Sequence, residues 1–139
     1  MSKGEIDRCI ADNTRAIAID PRYAGAFTNR GIAYDRKKLY DRAIADYGKA
    51  IEVDPRFVWA YHARALTYLQ LDKAAQGLRD AERAVALHPH DPVFVDTRGR
   101  IYEALGRKQE AIDDFRRALS MDPSIGSSSD GLKRLGAAR

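Results

Sequence analysis

The sequence has little cysteine and no long apolar run, and both shortages restrict the class of protein. Its 139 residues include one cysteine, Cys9, which excludes an internal disulfide framework. The N-terminal segment MSKGEIDRCIADNTRAIAID scatters charges throughout and contains no apolar core of the kind found in secretory signals. No uncharged run approaches the ~18 residues expected of a membrane span. We therefore expect a soluble, cytoplasmic protein with no membrane partner.

Catalytic and metal-binding motifs are also missing. The sequence has no GxSxG, HExxH or CxxC pattern, and no GxGxxG that follows a strand. The segment GSSSDGLK has the glycine spacing of a phosphate-binding loop, but Leu132 stands where that loop requires Lys. His88, His90 and Asp91 lie close together without a further ligand nearby, which favours a surface turn over a metal site. We expect no enzymatic activity, no cofactor, no metal and no small-molecule substrate.

Charge is mixed rather than concentrated. The formal net charge is +4, from 24 Lys and Arg against 20 Asp and Glu. The longest basic run is RKK, Arg36 to Lys38, which is shorter than the blocks of about 5–8 residues that indicate nucleic-acid binding. This pattern is typical of a solvated surface, and we expect no nucleic-acid partner.

What the sequence does contain is a repeat of 34 residues. Four prolines, each preceded by an apolar segment and followed by the next unit, recur at that interval: Pro21, Pro55, Pro89 and Pro123. Alanines keep the same interval at Ala16, Ala50, Ala84 and Ala118. Tyrosines keep it at Tyr34, Tyr68 and Tyr102. Such a period is the signature of a repeat architecture.

Each unit has the pattern of two helices. Phe27, Gly31 and Tyr34 have the i, i+4, i+7 spacing of one helix face, and the second helix ends at a proline, which lacks the N–H that a helix requires. Gly106 lies where a first helix must end, and it predicts a left-handed cap there. Lys38 and Asp72 occupy the equivalent turns, so we expect those helix ends to be capped less well.

The positions that recur carry a resemblance to a known family. In one unit they are Phe27, Gly31, Tyr34, Ala43, Tyr47, Ala50 and Pro55. In another they are Val95, Gly99, Tyr102, Ala111, Phe115, Ala118 and Pro123. This pattern resembles the tetratricopeptide repeat, in a short array of the bacterial type. The resemblance implies an all-α fold, an α-solenoid of antiparallel helix pairs forming a single domain over residues 1–139. The units would be a half repeat at 1–23, repeats at 24–57, 58–91 and 92–125, and a C-terminal capping segment at 126–139.

The N-terminal half repeat leaves two interpretations open. Residues 1–23 supply a turn, with Gly4 as its glycine, and a second helix whose first helix is absent. The chain is then either the tail of a longer array, or a protein whose N-terminal helix pairs with another subunit. The second interpretation predicts a homo-oligomer formed through an open helix face around Ile6, Ile10, Asn13 and Ile17.

Two further series of residues follow the repeat. Arginines recur at Arg30, Arg64 and Arg98. Aspartates recur at Asp12, Asp46, Asp80 and Asp114. The planar guanidinium suits a bidentate pair with a carboxylate between packed helices, which favours a structural role over a ligand site. The sequence does not decide whether each arginine pairs with the aspartate of its own repeat or of the preceding one.

The resemblance implies that the first helix of each repeat lines a concave groove that binds a peptide or helix. Helical spacing identifies the face of each first helix that is not used for core packing, and Gly25 and Asp35 lie on this face in the first of them. From these faces we predict a partner-binding site. Its members are Thr28, Asn29, Ile32, Arg36, Trp59, His62, Leu66, Leu69, Asp96 and Arg100. Trp59 is its expected anchor, since a tryptophan among aliphatic residues is typical of a binding hot spot. The alternative is that Trp59 packs against the neighbouring repeat.

One subclass of the family binds the C-terminal carboxylate of chaperone peptides through Lys, Asn and Arg. Asn29 matches its asparagine, but Trp59 and Ala63 stand where two of its cations belong. That ligand class is therefore not expected. We predict a non-catalytic scaffold with a protein or peptide partner, and the alternative is self-association through the N-terminal helix.

Overall fold

The computed structural model describes residues 1–138, and within that range it contains eight α-helices and no β-strand. The helices are α1 Lys3–Ile19, α2 Ala24–Arg36, α3 Tyr40–Val53, α4 Val58–Gln70, α5 Ala74–Leu87, α6 Pro92–Ala104, α7 Lys108–Met121 and α8 Gly126–Arg134. They belong to two compact units, one spanning Met1–Thr67 and one beginning at Tyr68. The predicted all-α fold of helix pairs is confirmed. None of the helices in residues 1–138 is both long and apolar enough to cross a lipid bilayer.

Three of the four helices that precede the repeated prolines end at an aspartate with two roles, and α5 ends at His88 instead. Asp20, Asp54 and Asp122 have extended backbones, as expected for a residue that precedes proline. Each carboxylate also accepts a hydrogen bond from the backbone N–H two residues later, at 3.0–3.1 Å. The Asp-Pro pair therefore stops one helix and also forms the turn towards the next.

The turns between the two helices of a repeat share one backbone conformation. Gly106 has a φ of 75°, as predicted, and Lys38 and Asp72 have φ of 62° and 61°. In each turn the third and last residue of the connection donates its N–H to a tyrosine carbonyl, as Leu39 does to Tyr34 at 2.9 Å. The expectation that Lys38 and Asp72 cap their helices less well is wrong, because these turns form the same hydrogen bonds as the turn at Gly106. Lys38 and Asp72 differ from Gly106 only in the strain of a side chain in the left-handed region, about 1–2 kcal/mol per residue.

Close packing in the first unit depends on a small residue opposite an aromatic ring. A Cβ added at Gly31 would lie 2.6 Å from Cε1 of Tyr47, so α2 and α3 approach as closely as a glycine permits. Tyr47 is buried in a cluster with Ala43 and Ala63. A second cluster joins α2, α3 and α4 through Ala24, Phe27, Ala50 and Ala60.

The second unit has the same arrangement around Phe115. A Cβ at Gly99 would lie 2.9 Å from this ring on one side, and one at Gly131 would lie 2.5 Å from it on the other. Leu132 of α8 is 1% exposed and completes the cluster. The predicted C-terminal capping segment therefore forms a helix that closes the core of this unit, and it is not merely a solvated end.

Two arginines of the repeated series each form a bidentate pair with the repeated aspartate of their own repeat. Arg30 donates to both carboxylate oxygens of Asp46 at 2.8 Å, and Arg98 does the same to Asp114. These bonds join the first and second helices of a repeat, which answers for both pairs the question that the sequence left open. Asp12 has no first helix in its half repeat, and it pairs with the exposed Arg15 instead.

Helix α1 packs against α2 of the same chain. Ile6 is 8% exposed, and Ile17 contacts the cluster around Phe27. The Asn13 side chain donates to the carbonyl of Cys9 at 2.8 Å. Ile6 is thus buried within the chain, and Ile10, Asn13 and Ile17 are half-buried, so self-association through this face is unsupported. Gly4 lies inside the first turn of α1, so the prediction of a turn glycine there is wrong.

We predict that Arg98→Ala lowers the free energy of unfolding by about 2–4 kcal/mol, since it leaves the 7%-exposed Asp114 carboxylate without its cation. Urea denaturation measures this loss. Arg15→Ala is the matched control, because it breaks an exposed pair and should leave stability nearly unchanged. A loss below about 1 kcal/mol for Arg98→Ala would contradict a structural role for the pair.

Candidate functional site

The first unit contains a cavity of about 560 Å³ between α2 and α4, called here the α2–α4 cavity. Its lining residues are Gly25, Thr28, Asn29, Ile32, Asp35, Tyr47, Phe57, Trp59, His62, Ala63 and Leu66. Residues 25, 28, 29, 32 and 35 form one face of α2, and residues 59, 62, 63 and 66 form one face of α4. The helical spacing of each face therefore directs these side chains towards a common space.

Large apolar side chains at this cavity remain exposed to solvent. Trp59 is 48% exposed and Ile32 is 37% exposed. The edge of the Trp59 ring meets the His62 ring at 84°, with 5.8 Å between the ring centroids. Half-exposed anchors of this kind are typical of surfaces that become buried when a partner binds.

The floor of the cavity is a short polar chain that runs from Tyr47 through Thr67 to Asp35. The Thr67 hydroxyl donates to Oδ2 of Asp35. The Tyr47 hydroxyl is hydrogen-bonded to Thr67. Burial raises the pKa of Tyr47 far above its usual range, the hydrogen bond with Thr67 opposes that shift, and the Asp35 and Asp46 charges add to it. The phenol therefore stays neutral.

The predicted binding residues divide between several places. Thr28, Asn29, Ile32, Trp59, His62 and Leu66 line the α2–α4 cavity. Arg36 lines a smaller cavity of about 170 Å³, with Cys9, Asn13, Asn29 and Ile32 among its other residues. Leu69, Asp96 and Arg100 belong to the second unit. Whether any of these residues contacts a partner stays a prediction.

Two of the predicted residues are occupied within their own unit. Thr28 is 2% exposed, and its hydroxyl donates to the carbonyl of Ala24 at 3.0 Å. Asp96 is 6% exposed and accepts a hydrogen bond of 2.6 Å from Ser128 of α8. Both side chains are therefore buried and hydrogen-bonded within the protein. Helical spacing alone could not distinguish them from the exposed residues of the same faces.

Sequence reasoning did not place Tyr47, Phe57 and Thr67 at the site. Tyr47 is one of the recurring positions of the repeat and is buried, but it also lines the cavity. Phe57 lies in the turn before α4 and has no helical spacing to reveal it. Thr67 and Asp35 are 32 residues apart, so a search at 34 residues passes over their contact.

Comparison with known proteins gives the family. A tetratricopeptide repeat model matches residues 63–135, which is more than half of the chain, and a second tetratricopeptide repeat model matches residues 24–57. The chain belongs to the tetratricopeptide repeat family. No curated protein matches it.

Solved tetratricopeptide repeat structures resemble it along most of its length. The first such domain of Spaghetti (RPAP3), bound to the HSP90 peptide SRMEEVD, is 29% identical with a TM-score of 0.80, over 84% of this chain and 93% of that one. The second such domain of human RPAP3, in complex with the HSP70 peptide SGPTIEEVD, is 25% identical with a TM-score of 0.75, over 81% and 93%. A thermophilic tetratricopeptide repeat protein of Thermus thermophilus is 24% identical with a TM-score of 0.78, over 96% and 72%, and shows the fold alone.

Elsewhere in the tetratricopeptide repeat chain, the HPHD turn has structural roles. The Asp91 carboxylate caps α6 by accepting from the N–H of Val93 at 3.0 Å. The His88 ring meets the edge of Phe94 at 5.8 Å. The residues that the structure describes contain no group of three or more His, Cys, Asp and Glu side chains arranged to hold a metal ion.

We predict that Thr67→Val lowers the free energy of unfolding by about 1–3 kcal/mol, because it removes the buried hydroxyl that donates to Asp35 and is bonded to Tyr47. Adding Tyr47→Phe should cost less than it does in the wild type, since the hydroxyl is then already without a partner. Urea denaturation of the two single variants and the double variant measures this coupling. Thr28→Val, which deletes a hydroxyl bonded within its own helix, is the control, and it should lose under about 1 kcal/mol. Additive losses would contradict the polar chain.

Proposed function

We propose that the protein is a non-catalytic interaction module that binds a peptide or helix of a partner protein in the α2–α4 cavity. The observation that carries this proposal is the pairing of Trp59 and Ile32, both substantially exposed, across a cavity of about 560 Å³. A cavity of this size is within the range that proteins use to enclose a ligand group. The partner would supply the apolar surface that covers the indole.

The family supports the general class of this function. Tetratricopeptide repeats are protein–protein interaction modules, and two of the similar domains are bound to peptides of HSP90 and HSP70. The fold is typical of a non-catalytic scaffold. What these relatives support is a protein or peptide partner, and the identity of the cavity residues as the contact surface is our proposal.

The position of Trp59 within the repeat supports its role as anchor. Its equivalents one repeat earlier and later are Gly25 and Val93, so a bulky aromatic is not needed there for the helices to pack. The indole is also half exposed, which removes about half of the stability that a tryptophan contributes when it is fully buried. Such a side chain is better explained by binding than by folding.

We predict that Trp59→Ala weakens partner binding by about 30-fold or more, the loss expected for a hot-spot residue. The test is affinity capture with purified protein, followed by a binding titration with the captured partner or its peptide. Val93→Ala is the matched control, because Val93 occupies the same repeat position, is 41% exposed and lies outside the cavity.

Both variants should keep the helical content of the wild type, since each changes a substantially exposed side chain. The proposal predicts that Val93→Ala retains the partner while Trp59→Ala does not. Equal retention by the two variants would place the binding surface elsewhere on the chain. If a folded Trp59→Ala variant binds the partner with unchanged affinity, the proposal for this cavity is wrong.

A further inference from the structure

The α2–α4 cavity is apolar, and its one carboxylate is not matched by a cation of its own. Among its lining residues, Asp35 is the only Asp or Glu, and none is Lys or Arg. Asp35 is half-buried in the last turn of α2, where the helix dipole adds negative potential. A carboxylate in such surroundings gains from a nearby cation and is destabilised by a second carboxylate.

The three basic residues that follow Asp35 do not fill this role. Arg36 lies in the smaller cavity with Asn13 and Asn29. Lys37 donates to the Asp7 carboxylate at 2.7 Å. Lys38 is exposed in the turn after α2 and does not line the α2–α4 cavity. No Lys or Arg among the lining residues therefore balances the charge of Asp35, although the chain as a whole is positive.

The chain itself provides a contrast two repeats later. Glu103 occupies the position equivalent to Asp35, and Arg134 of α8 donates to both of its carboxylate oxygens at 2.8 and 2.9 Å. At that position the protein supplies the guanidinium. In the first unit, no Lys or Arg among the residues that line the cavity supplies one.

Asp35 is also held in place before any partner arrives. The Thr67 hydroxyl donates to one of its oxygens, and Thr67 is fully buried beneath it. An ionised carboxylate has room for several donors, so this bond leaves it able to accept from a guanidinium or ammonium group. Binding a cation there would cost little ordering of the protein.

Resting on the proposed function, we propose that the α2–α4 cavity selects peptide segments in which an Arg or Lys pairs with Asp35 while a large apolar side chain covers Trp59 and Ile32. This preference is opposite in sign to the acidic ends of the peptides SRMEEVD and SGPTIEEVD, which are bound by two similar domains. Trp59 and Ala63 form the wall where the carboxylate-binding subclass places cations, which agrees with this opposite preference.

The test is selection of a random peptide library against four purified proteins at pH 8. Wild type should enrich segments that combine Arg or Lys with large apolar residues. Asp35→Asn keeps an oxygen for Thr67 and should retain the apolar enrichment while losing the basic one. Asp41→Asn changes the net charge equally at an exposed position outside the cavity and should match wild type. Trp59→Ala should enrich neither feature.

A selected peptide then gives the measure of the pairing. Replacing its Arg or Lys by Gln should weaken binding to wild type about tenfold, and should change binding to Asp35→Asn less than about threefold. The +4 net charge favours acidic peptides, so a basic preference cannot come from the overall field of the protein.

The outcomes separate this inference from the proposed function. Wild-type pools that need Trp59 but show no basic enrichment, or show acidic enrichment, would overturn the charge preference and leave cavity binding intact. Basic enrichment that persists in Asp35→Asn would overturn the role of Asp35. If Trp59→Ala selects the same peptides as wild type, both proposals fail together.

Discussion

The Tyr47 ring lies against the backbone of α2 at Gly31, with room for a hydrogen and none for a methyl group. This contact sets the distance between the two helices of the repeat, and the remaining contacts of the pair depend on that distance. At this spacing Arg30 reaches Asp46 with both arms of its guanidinium. A bidentate pair has little tolerance for displacement, so a wider separation would break it before the apolar contacts were lost. Phe115, Gly99 and Arg98 repeat the arrangement in the second unit.

The same tyrosine connects the packing of the repeat to the candidate site. Its ring fills the space between α2 and α3, while its hydroxyl continues to Thr67 and Asp35 at the floor of the α2–α4 cavity. Phe115 fills the equivalent place in the second unit and has no hydroxyl. Tyrosine and phenylalanine at this position therefore give the same helix spacing. Only the tyrosine hydroxyl adds a polar connection from the core towards the surface.

Most of the helices and their ends could be predicted from the sequence, because proline, small residues and aromatic residues act locally and recur at 34 residues. Gly106 was predictable as a left-handed residue since glycine alone adopts that conformation freely. Lys38 and Asp72 were not, because there the hydrogen bonds of the turn outweigh a local preference against it. The pairing of Arg30 with Asp46 needed three-dimensional geometry, since both candidate aspartates have the same period.

The candidate site was predictable only where a residue lay on a helix face. Trp59, Ile32 and Leu66 follow from helical spacing, and the cavity brings them together. The contacts of Asp35 with Thr67 and of Asp96 with Ser128 span 32 residues, so they do not follow the 34-residue period. The 34-residue period reveals only the residues that the units share. The Asp35–Thr67 and Asp96–Ser128 contacts involve residues in which the units differ.

That distinction identifies the face of the repeat on which specificity for a partner would reside under the proposed function. Gly25, Trp59 and Val93 are equivalent, as are Asp35, Leu69 and Glu103, and the helices pack with any of these side chains in place. Positions that the core constrains, such as Gly31 and Gly99, cannot change without moving an aromatic ring. Substitutions on the unconstrained face therefore cost little folding stability. That face can change to suit a partner while the fold stays the same. Trp59 and Asp35 lie on it together, one supplying apolar surface and the other a fixed negative charge, and each is absent from the corresponding position of at least one other repeat.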